Sequence, residues 1–243
     1  MTYCLGILLP DGLVLASDSR SNAGIDQVAL VKKLAVFEVP GQQVVAVLSA
    51  GNLATTQAVV TALRESAGSG APGQDLHAAR SMFDVAQLIG GKLREVIARD
   101  GHYVQPFGDP HGTFLVGGQI TGEPPRLFHI YSAGNFVEAS DRSRFLQIGE
   151  TKYGKPILDR ALTNATTLDE AAKLSLLSFD ATMRSNLSVD APIDLLRYAA
   201  DSFSARNLAT VEKDDPYWIE LRQRYAEGLA NLVSSIPPPP QWG

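Results

Sequence analysis

Blocks of strand-like sequence separated by helical segments constrain the fold of this chain more than any other feature. Across residues 2–48, apolar runs are interrupted by the turn residues Pro10-Asp11-Gly12 and Pro40-Gly41, which is typical of antiparallel hairpins. The pattern predicts strands that begin with the first residues of the chain. It also predicts that the edge of their sheet lies close to the start of the chain.

Helical periodicity replaces the strand pattern after residue 52. The later segments are, in chain order, helical at 52–65 and 83–99, strand-like at 113–120, 126–131, 136–138 and 145–148, helical at 155–162 and 168–183, strand-like at 193–198 and helical at 217–232. Strand blocks that alternate with helices predict an α+β fold, a four-layer αββα sandwich in which helices flank two packed antiparallel sheets.

A single domain accounts for the length of 243 residues, since sandwiches and barrels often reach about 200–250 residues as one unit. Hydrophobic residues make up 45% of the chain, which is enough for a buried core. We expect one domain over 1–236 and a Pro-rich tail over 237–243. Four consecutive prolines force that tail into an extended form, and it is either a solvated end or a strap that docks on a neighbouring subunit.

The charge balance excludes several classes of partner. Twenty-six acidic residues against 21 basic ones give a net charge of -5, so no general cationic surface is present for nucleic acid. No apolar run approaches the roughly 18 residues that span a bilayer, and no basic residue precedes the first apolar stretch as in a signal peptide. We therefore expect no membrane partner and a cytoplasmic location.

Cysteine and histidine usage argues against metals and disulfides. Cys4 is the single cysteine, so an intrachain disulfide is excluded, and we interpret Cys4 as a buried core thiol. The four histidines lack the close spacing of a zinc site. No cofactor is predicted.

The segment Gly149-Glu150-Thr151-Lys152-Tyr153-Gly154-Lys155 nearly matches the phosphate loop G-x-x-x-x-G-K-[ST]. The next residue, Pro156, has no hydroxyl for magnesium, and Glu150 would place a carboxylate beside phosphate oxygens. A strand-to-helix turn, or a contribution to a nearby active site, explains this segment better than nucleotide binding.

Thr2 follows the initiator methionine, and a small side chain at this position usually permits removal of Met1. A threonine exposed in this way carries a hydroxyl nucleophile and an α-amine of pKa about 7.7–8.0, which suits a general base near neutrality. Asp18 ends the second predicted strand and Lys33 begins the third, and adjacent antiparallel strands bring such ends together. An ammonium beside the hydroxyl would stabilise the developing alkoxide, and a carboxylate would orient the ammonium.

Each of these residues also has a simpler interpretation. Asp18 and Arg20 can form a surface ion pair, and Lys32 and Lys33 can be solvated side chains.

The spacing of these residues resembles that of a known family. Thr2 before a short hairpin, Ala16-Ser17-Asp18-Ser19-Arg20, Lys32-Lys33-Leu34, and Ser49-Ala50-Gly51-Asn52 opening a helix are similar to proteasome β-type subunits. The bacterial branch called Anbu is more similar still, through the segments at 2–4, 22–24 and 50–57.

The resemblance implies an N-terminal-nucleophile hydrolase in which Thr2 is nucleophile and base and Asp18 and Lys33 are its activators. It implies an oxyanion hole of backbone amides at Leu48, Ser49 and Gly51. It also implies self-assembly into a ring or helical homo-oligomer and a peptide or small-amide substrate. No unfoldase partner is identified.

The chain departs from the family pattern at two positions. Glu150 stands where proteasome subunits usually have a serine, and Ser185 stands where they have an aspartate, whereas Ser188 matches. Either Glu150 substitutes electrostatically for the missing carboxylate or turnover is weaker. The alternative is a self-assembling scaffold or peptide-binding protein with little or no hydrolysis.

Overall fold

The computed structural model describes residues 2–22, 28–71 and 73–241. In these ranges the strands are β1 Tyr3–Leu9, β2 Gly12–Asp18, β3 Arg20–Asn22, β4 Val28–Leu30, β5 Leu34–Val39, β6 Gln43–Gly51, β7 Gly112–Ile120, β8 Arg126–Ile130, β9 Phe136–Glu138, β10 Phe145–Gly149, β11 Ile193–Ala199 and β12 Leu208–Val211. The helices are α1 Leu53–Ser66, α2 Met82–Val104, α3 Lys155–Ala161, α4 Leu168–Ser185 and α5 Pro216–Ser235, with a 3₁₀ turn at Leu76–Ala78.

The described strands form two five-stranded sheets and one small hairpin. The first sheet has the order β10-β1-β2-β11-β12, the second has the order β5-β6-β7-β8-β9, and β3 pairs with β4. Neighbouring strands pair antiparallel in each case. Two antiparallel sheets flanked by helices confirm the predicted α+β fold class.

Apolar layers lie between the sheets and on their outer faces. Because successive strand residues point to opposite faces, Leu5 and Ile7 pack towards α4, whereas Cys4 lies in the core between the sheets. In the second sheet, Val45 and Val47 likewise pack towards α1 and α2. Strands buried on both faces explain why the sequence shows continuous apolar runs instead of an alternation of apolar and polar residues.

Two expectations about the strands are wrong. Strand β1 is not at the edge of its sheet, because β10 pairs with it and places Gly149 opposite Tyr3. The first four predicted strands also do not share one sheet, since β5 and β6 join β7 in the second. Each strand pairs with residues that are far away in the chain, and the local sequence pattern does not indicate which residues these are.

The predicted helices are present with displaced ends; α2, for example, continues to Val104. The short strands β3, β4 and β12 were not predicted, because three or four residues carry little periodicity. Most of the segment 22–24, which contributes to the resemblance to the Anbu branch, lies outside the described residues. Among the helices described here, none is both long and apolar enough to cross a membrane.

Candidate active site

The backbone next to Thr2 is held by the carboxylate of Asp18. Pairing of β1 with β2 sets Cys4 opposite Ser17, so Asp18 ends its strand where β1 begins. The Tyr3 amide donates a hydrogen bond to Asp18 Oδ1 at 2.9 Å. The residue after Thr2 is therefore hydrogen-bonded to a buried carboxylate. Thr2 itself is partly buried.

Lys33 reaches the same carboxylate oxygen. Its Nζ donates to Asp18 Oδ1 at 2.8 Å and also to the Arg20 carbonyl. The side chains of Lys33 and Asp18 are 5% and 0% exposed. One oxygen thus joins a lysine ammonium to the amide that follows Thr2.

This geometry corrects two parts of the sequence interpretation. Asp18 and Lys33 meet across the two sheets, since Asp18 ends β2 of the first sheet and Lys33 directly precedes β5 of the second. The surface ion pair with Arg20 is also wrong, because the Arg20 guanidinium binds Asp190 at 3.2 Å. Of the two lysines, only Lys32 is exposed.

Opposing effects act on the pKa of the Asp18 carboxyl, and burial is the largest of them. Burial raises its pKa above the usual value, while the Lys33 ammonium and the Tyr3 amide act in the opposite direction. Within the described residues, Asp18 Oδ2 is buried without a hydrogen-bond partner. A buried carboxylate next to a specific cation is the kind of environment that proteins build at functional sites.

Strand β10 holds the Thr2 carbonyl from the other side. The Glu150 amide donates to the Thr2 carbonyl oxygen at 2.7 Å. Gly149 has φ +81°, and a Cβ atom there would lie 1.9 Å from that oxygen. A glycine at 149 is therefore required by the close approach of Thr2, and a phosphate ligand is not needed to explain it.

The Asn186 side chain connects Glu150, which follows β10, to Ser188, which follows α4. Its Nδ2 donates to Glu150 Oε2 at 3.0 Å, and its Oδ1 accepts from the Ser188 amide at 2.9 Å. The other Glu150 oxygen accepts from the Lys152 amide at 3.4 Å. Both oxygens of the Glu150 carboxylate thus have partners other than Thr2.

The two serines near this link differ in their surroundings. Ser188 is partly buried, whereas Ser185 is exposed at the end of α4. Sequence analysis did not single out Asn186, although it lies between these serines. The only available signal was a short polar side chain directly after a helix.

The backbone amides expected to form an oxyanion hole are not equally available. The Ser49 amide already donates to the Lys33 carbonyl at 3.1 Å, which contradicts its expected role. Leu48 is buried within the sheet, paired with Leu34 and Leu115, so its amide belongs to the strand ladder. These two positions are corrected because sheet pairing uses their amides.

Gly51 remains as the candidate donor. Amides alternate in direction along an antiparallel strand, so the Gly51 amide points to the same side as that of Ser49, beyond the start of β5. Its φ is +106°, and a Cβ atom there would lie 2.5 Å from the His111 carbonyl oxygen. Asn52 then caps α1 by accepting a hydrogen bond from the Thr55 amide at 3.1 Å.

No group of three or more His, Cys, Asp or Glu side chains in the described part of the chain could hold a metal ion. Cys4, which shares the strand of the Asp18-bonded amide, is buried, and burial raises the pKa of its thiol.

Comparison with solved structures finds Anbu proteins that are similar to nearly the whole of this chain. Anbu (ancestral beta-subunit) from Yersinia bercovieri is 44% identical, with a TM-score of 0.93 and coverage of 99% of this chain and 100% of that one. A Gly-1 mutant of Anbu from Hyphomicrobium sp. strain MC1 is 45% identical, with a TM-score of 0.92 and coverage of 99% and 100%. The helical assembly of the Anbu complex from Pseudomonas aeruginosa is 45% identical, with a TM-score of 0.93 and 98% coverage of both chains.

Neither the family models nor the curated proteins include a match to this chain.

Proposed function

Because this chain belongs to the Anbu family, the bacterial proteasome-like branch, we propose that it is a cytoplasmic threonine hydrolase that cleaves peptide or amide bonds. The observation that carries the proposal is the shared oxygen Asp18 Oδ1, which accepts from both the Lys33 ammonium and the Tyr3 amide. It supports Thr2 as the nucleophile, since it holds a buried cation beside the backbone of that residue.

The reaction begins after Met1 is removed and the Thr2 α-amine is free. The hydroxyl oxygen of Thr2 attacks the substrate carbonyl carbon, and its proton passes to the α-amine, which acts as general base. The Lys33 ammonium stabilises the negative charge that develops on the attacking oxygen, and Asp18 orients Lys33. Nucleophile and base belong to one residue, so no separate side chain has to act as general base.

The tetrahedral intermediate carries its charge on the former carbonyl oxygen. The Gly51 amide, which ends β6 directly before the N-cap of α1, donates a hydrogen bond to that oxygen, and the positive end of the helix dipole adds to its stabilisation. When the carbon–nitrogen bond breaks, the protonated α-amine gives its proton to the leaving amine.

The acyl group then remains on Thr2 as an ester. Water attacks this ester with the same α-amine as base, which releases the carboxylic acid and restores the hydroxyl. Glu150 and Ser188 act as positioning residues in this scheme, because the Glu150 amide binds the Thr2 carbonyl and Asn186 joins both residues.

A specific observation favours the second candidate, a scaffold with little or no hydrolysis. Proteasome β-type subunits usually have an aspartate where this chain has Ser185, which is exposed. Glu150 does not replace it directly, since the described partners of its carboxylate are Asn186 and the Lys152 amide. The second candidate predicts assembly without turnover.

Self-assembly is part of both candidates. The relative from Pseudomonas aeruginosa forms a helical assembly, and we propose that this chain also binds further copies of itself. Exposed apolar side chains on the last turns of α5, among them Leu232 and Val233, support a contact there.

Mass spectrometry with an electrophile that reacts with both a hydroxyl and an α-amine tests the hydrolase proposal. We expect wild-type protein to lack Met1 and to gain one adduct, Thr2→Ser to keep the adduct, and Thr2→Ala to lose it. Ser185→Ala, a matched change at an exposed hydroxyl, should label like wild type. Lys33→Met should lower the labelling rate by about a hundredfold or more, the size seen when charge stabilisation is removed from an active site.

Retention of Met1, or equal labelling of Thr2→Ala and wild type, would contradict the hydrolase proposal. If a broad panel of peptides and small amides also shows no Thr2-dependent turnover while assembly persists, the scaffold candidate stands instead.

A further inference from the structure

A cavity of about 430 Å³ opens beside the Lys33 end of the candidate site. Its walls come from the segment that connects β4 to β5 and from one side of α1. Lys33 and Ser49 line it where it meets the site, and Val60 and Leu53 contribute apolar surface from α1. The cavity is therefore placed to receive a substrate side chain next to the bond that Thr2 would attack.

The charged side chains that the structure places around the cavity are all cationic. Lys32 and Arg64 line it from different elements, and both side chains are exposed. Neither forms an ion pair with any described residue, and no Asp or Glu occurs among the lining residues that the structure describes.

Lys33 differs from these two cations, since its ammonium is already bound to Asp18. Two cations thus remain that a ligand can neutralise. The other polar lining groups, such as Gln57 and Thr61, are uncharged and able to donate hydrogen bonds.

We propose that this cavity selects substrates with an acidic side chain at the residue whose carbonyl Thr2 attacks, and that Lys32 and Arg64 determine this preference. The inference rests on the proposed function. A glutamate suits the lining, because its aliphatic stem packs on Val60 and Leu53 while its carboxylate pairs with the cations. A lysine or arginine side chain in the substrate meets like charge there and is disfavoured.

Turnover of a matched pair of substrates tests the preference. The two peptide amides differ only in glutamate or glutamine at the attacked residue, so their size and stem are alike. We expect kcat/KM for the glutamate substrate to be roughly tenfold higher at low salt, since two exposed ion pairs each contribute up to a few-fold. The ratio should fall towards one as salt screens the charges.

Substitution of both cations gives the decisive comparison. Lys32→Gln with Arg64→Gln should reduce the glutamate preference to about one. A matched control, Lys173→Gln with Arg206→Gln, removes two exposed cations that do not line the cavity and should keep the preference of wild type.

Binding to the Thr2→Ala variant separates the cavity from the chemistry. Fluorescence anisotropy with the same two peptides, labelled, should show about tenfold tighter binding of the glutamate peptide, lost in the variant that also carries both cation substitutions. Glutamate-selective, cation-dependent binding without any turnover would support the cavity proposal and contradict the hydrolase. Turnover without a glutamate preference, or no binding of either peptide at millimolar concentration, would overturn the cavity proposal.

Discussion

At the scale of single residues, Asp18 is a carboxylate buried at the centre of the candidate site. Its side chain is fully buried, and its Oδ1 serves both Lys33 and the Tyr3 amide. A buried ion pair contributes little net stability, whereas removing one partner costs about 3–5 kcal/mol because a charge is left unpaired. The pair is therefore better explained by its proposed role beside Thr2 than by what it adds to the stability of the fold.

The Asp18 carboxyl predicts a pH-dependent stability. Its pKa is raised in the folded protein by burial, so above about pH 4, where an unfolded aspartate has lost its proton, the folded state still binds one. The free energy of unfolding of wild type should therefore decrease, relative to Asp18→Asn, as the pH rises from about 4 through the folded-state pKa. Urea unfolding of both proteins at a series of pH values measures this difference.

Asn replaces the carboxyl with a group of the same size that does not titrate, so the curve of the variant lacks the Asp18 titration. Parallel curves for the two proteins would contradict a raised pKa. Ser185→Ala, which alters an exposed position away from the ion pair, should follow the wild-type curve.

At the scale of secondary-structure elements, helix α5 packs against the rest of the described chain through its first turns. Asp215 caps it by accepting from the Tyr217 and Trp218 amides, and the Trp218 side chain is fully buried. One turn later, Arg222 Nε donates to Asp180 Oδ1 of α4 at 2.6 Å. From residue 226 onward the side chains are exposed.

Because the first turns of α5 are packed and its last turns are exposed, we expect a substitution in the first turns to lower the free energy of unfolding more than removal of the last turns. Trp218→Ala should lower the free energy of unfolding by about 3–5 kcal/mol, because it leaves a cavity in the core. Removal of residues 229–243 should change it by about 0.5 kcal/mol or less, since the side chains at 229–241 are exposed. Urea unfolding under conditions that keep the chain monomeric measures both, and a large loss from the truncation would contradict this description.

At the scale of the whole molecule, the free end of α5 presents an apolar stripe. Leu229, Leu232, Val233 and Ile236 are 51%, 57%, 63% and 59% exposed. Their spacing of three and four residues places them on one side of the helix and its end. Such a surface on a family member with a helically assembled relative fits contact with another copy of the chain.

Charged substitutions on this stripe should weaken assembly. We expect Leu229→Lys with Leu232→Lys to shift the mass measured by light scattering towards the monomer, because lysine ammonium groups would be desolvated at the contact. Gln223→Lys with Asn231→Lys adds the same charge at exposed polar positions of α5 and should leave the mass distribution unchanged. An equal shift in both variants, or none in the first, would contradict a contact through the stripe.

Much of the site could be anticipated because its parts are marked locally. Thr2 is identified by its position in the chain, Gly51 by the turn that precedes a capped helix, and the sheet and helix blocks by their apolar periodicity. The near-match to a phosphate loop could be dismissed from Pro156 alone. The structure adds the reason for Gly149, which is the close approach of the Thr2 carbonyl.

Other parts required the tertiary structure. Sequence reasoning paired Asp18 and Lys33 through adjacent strands, whereas they meet across two sheets. It assigned the Ser49 amide to an oxyanion hole, whereas that amide binds the Lys33 carbonyl. It also gave no role to Asn186, whose two hydrogen bonds join Glu150 and Ser188.

The amino-acid sequence by itself determined the fold class and the position of the proposed nucleophile, because burial periodicity and turn residues act over a few neighbouring positions. Only the tertiary structure decided which strands share a sheet and which backbone amides stay free of it. Those choices depend on hydrogen-bond partners more than a hundred residues apart, such as the Glu150 amide and the Thr2 carbonyl, and no local pattern encodes them.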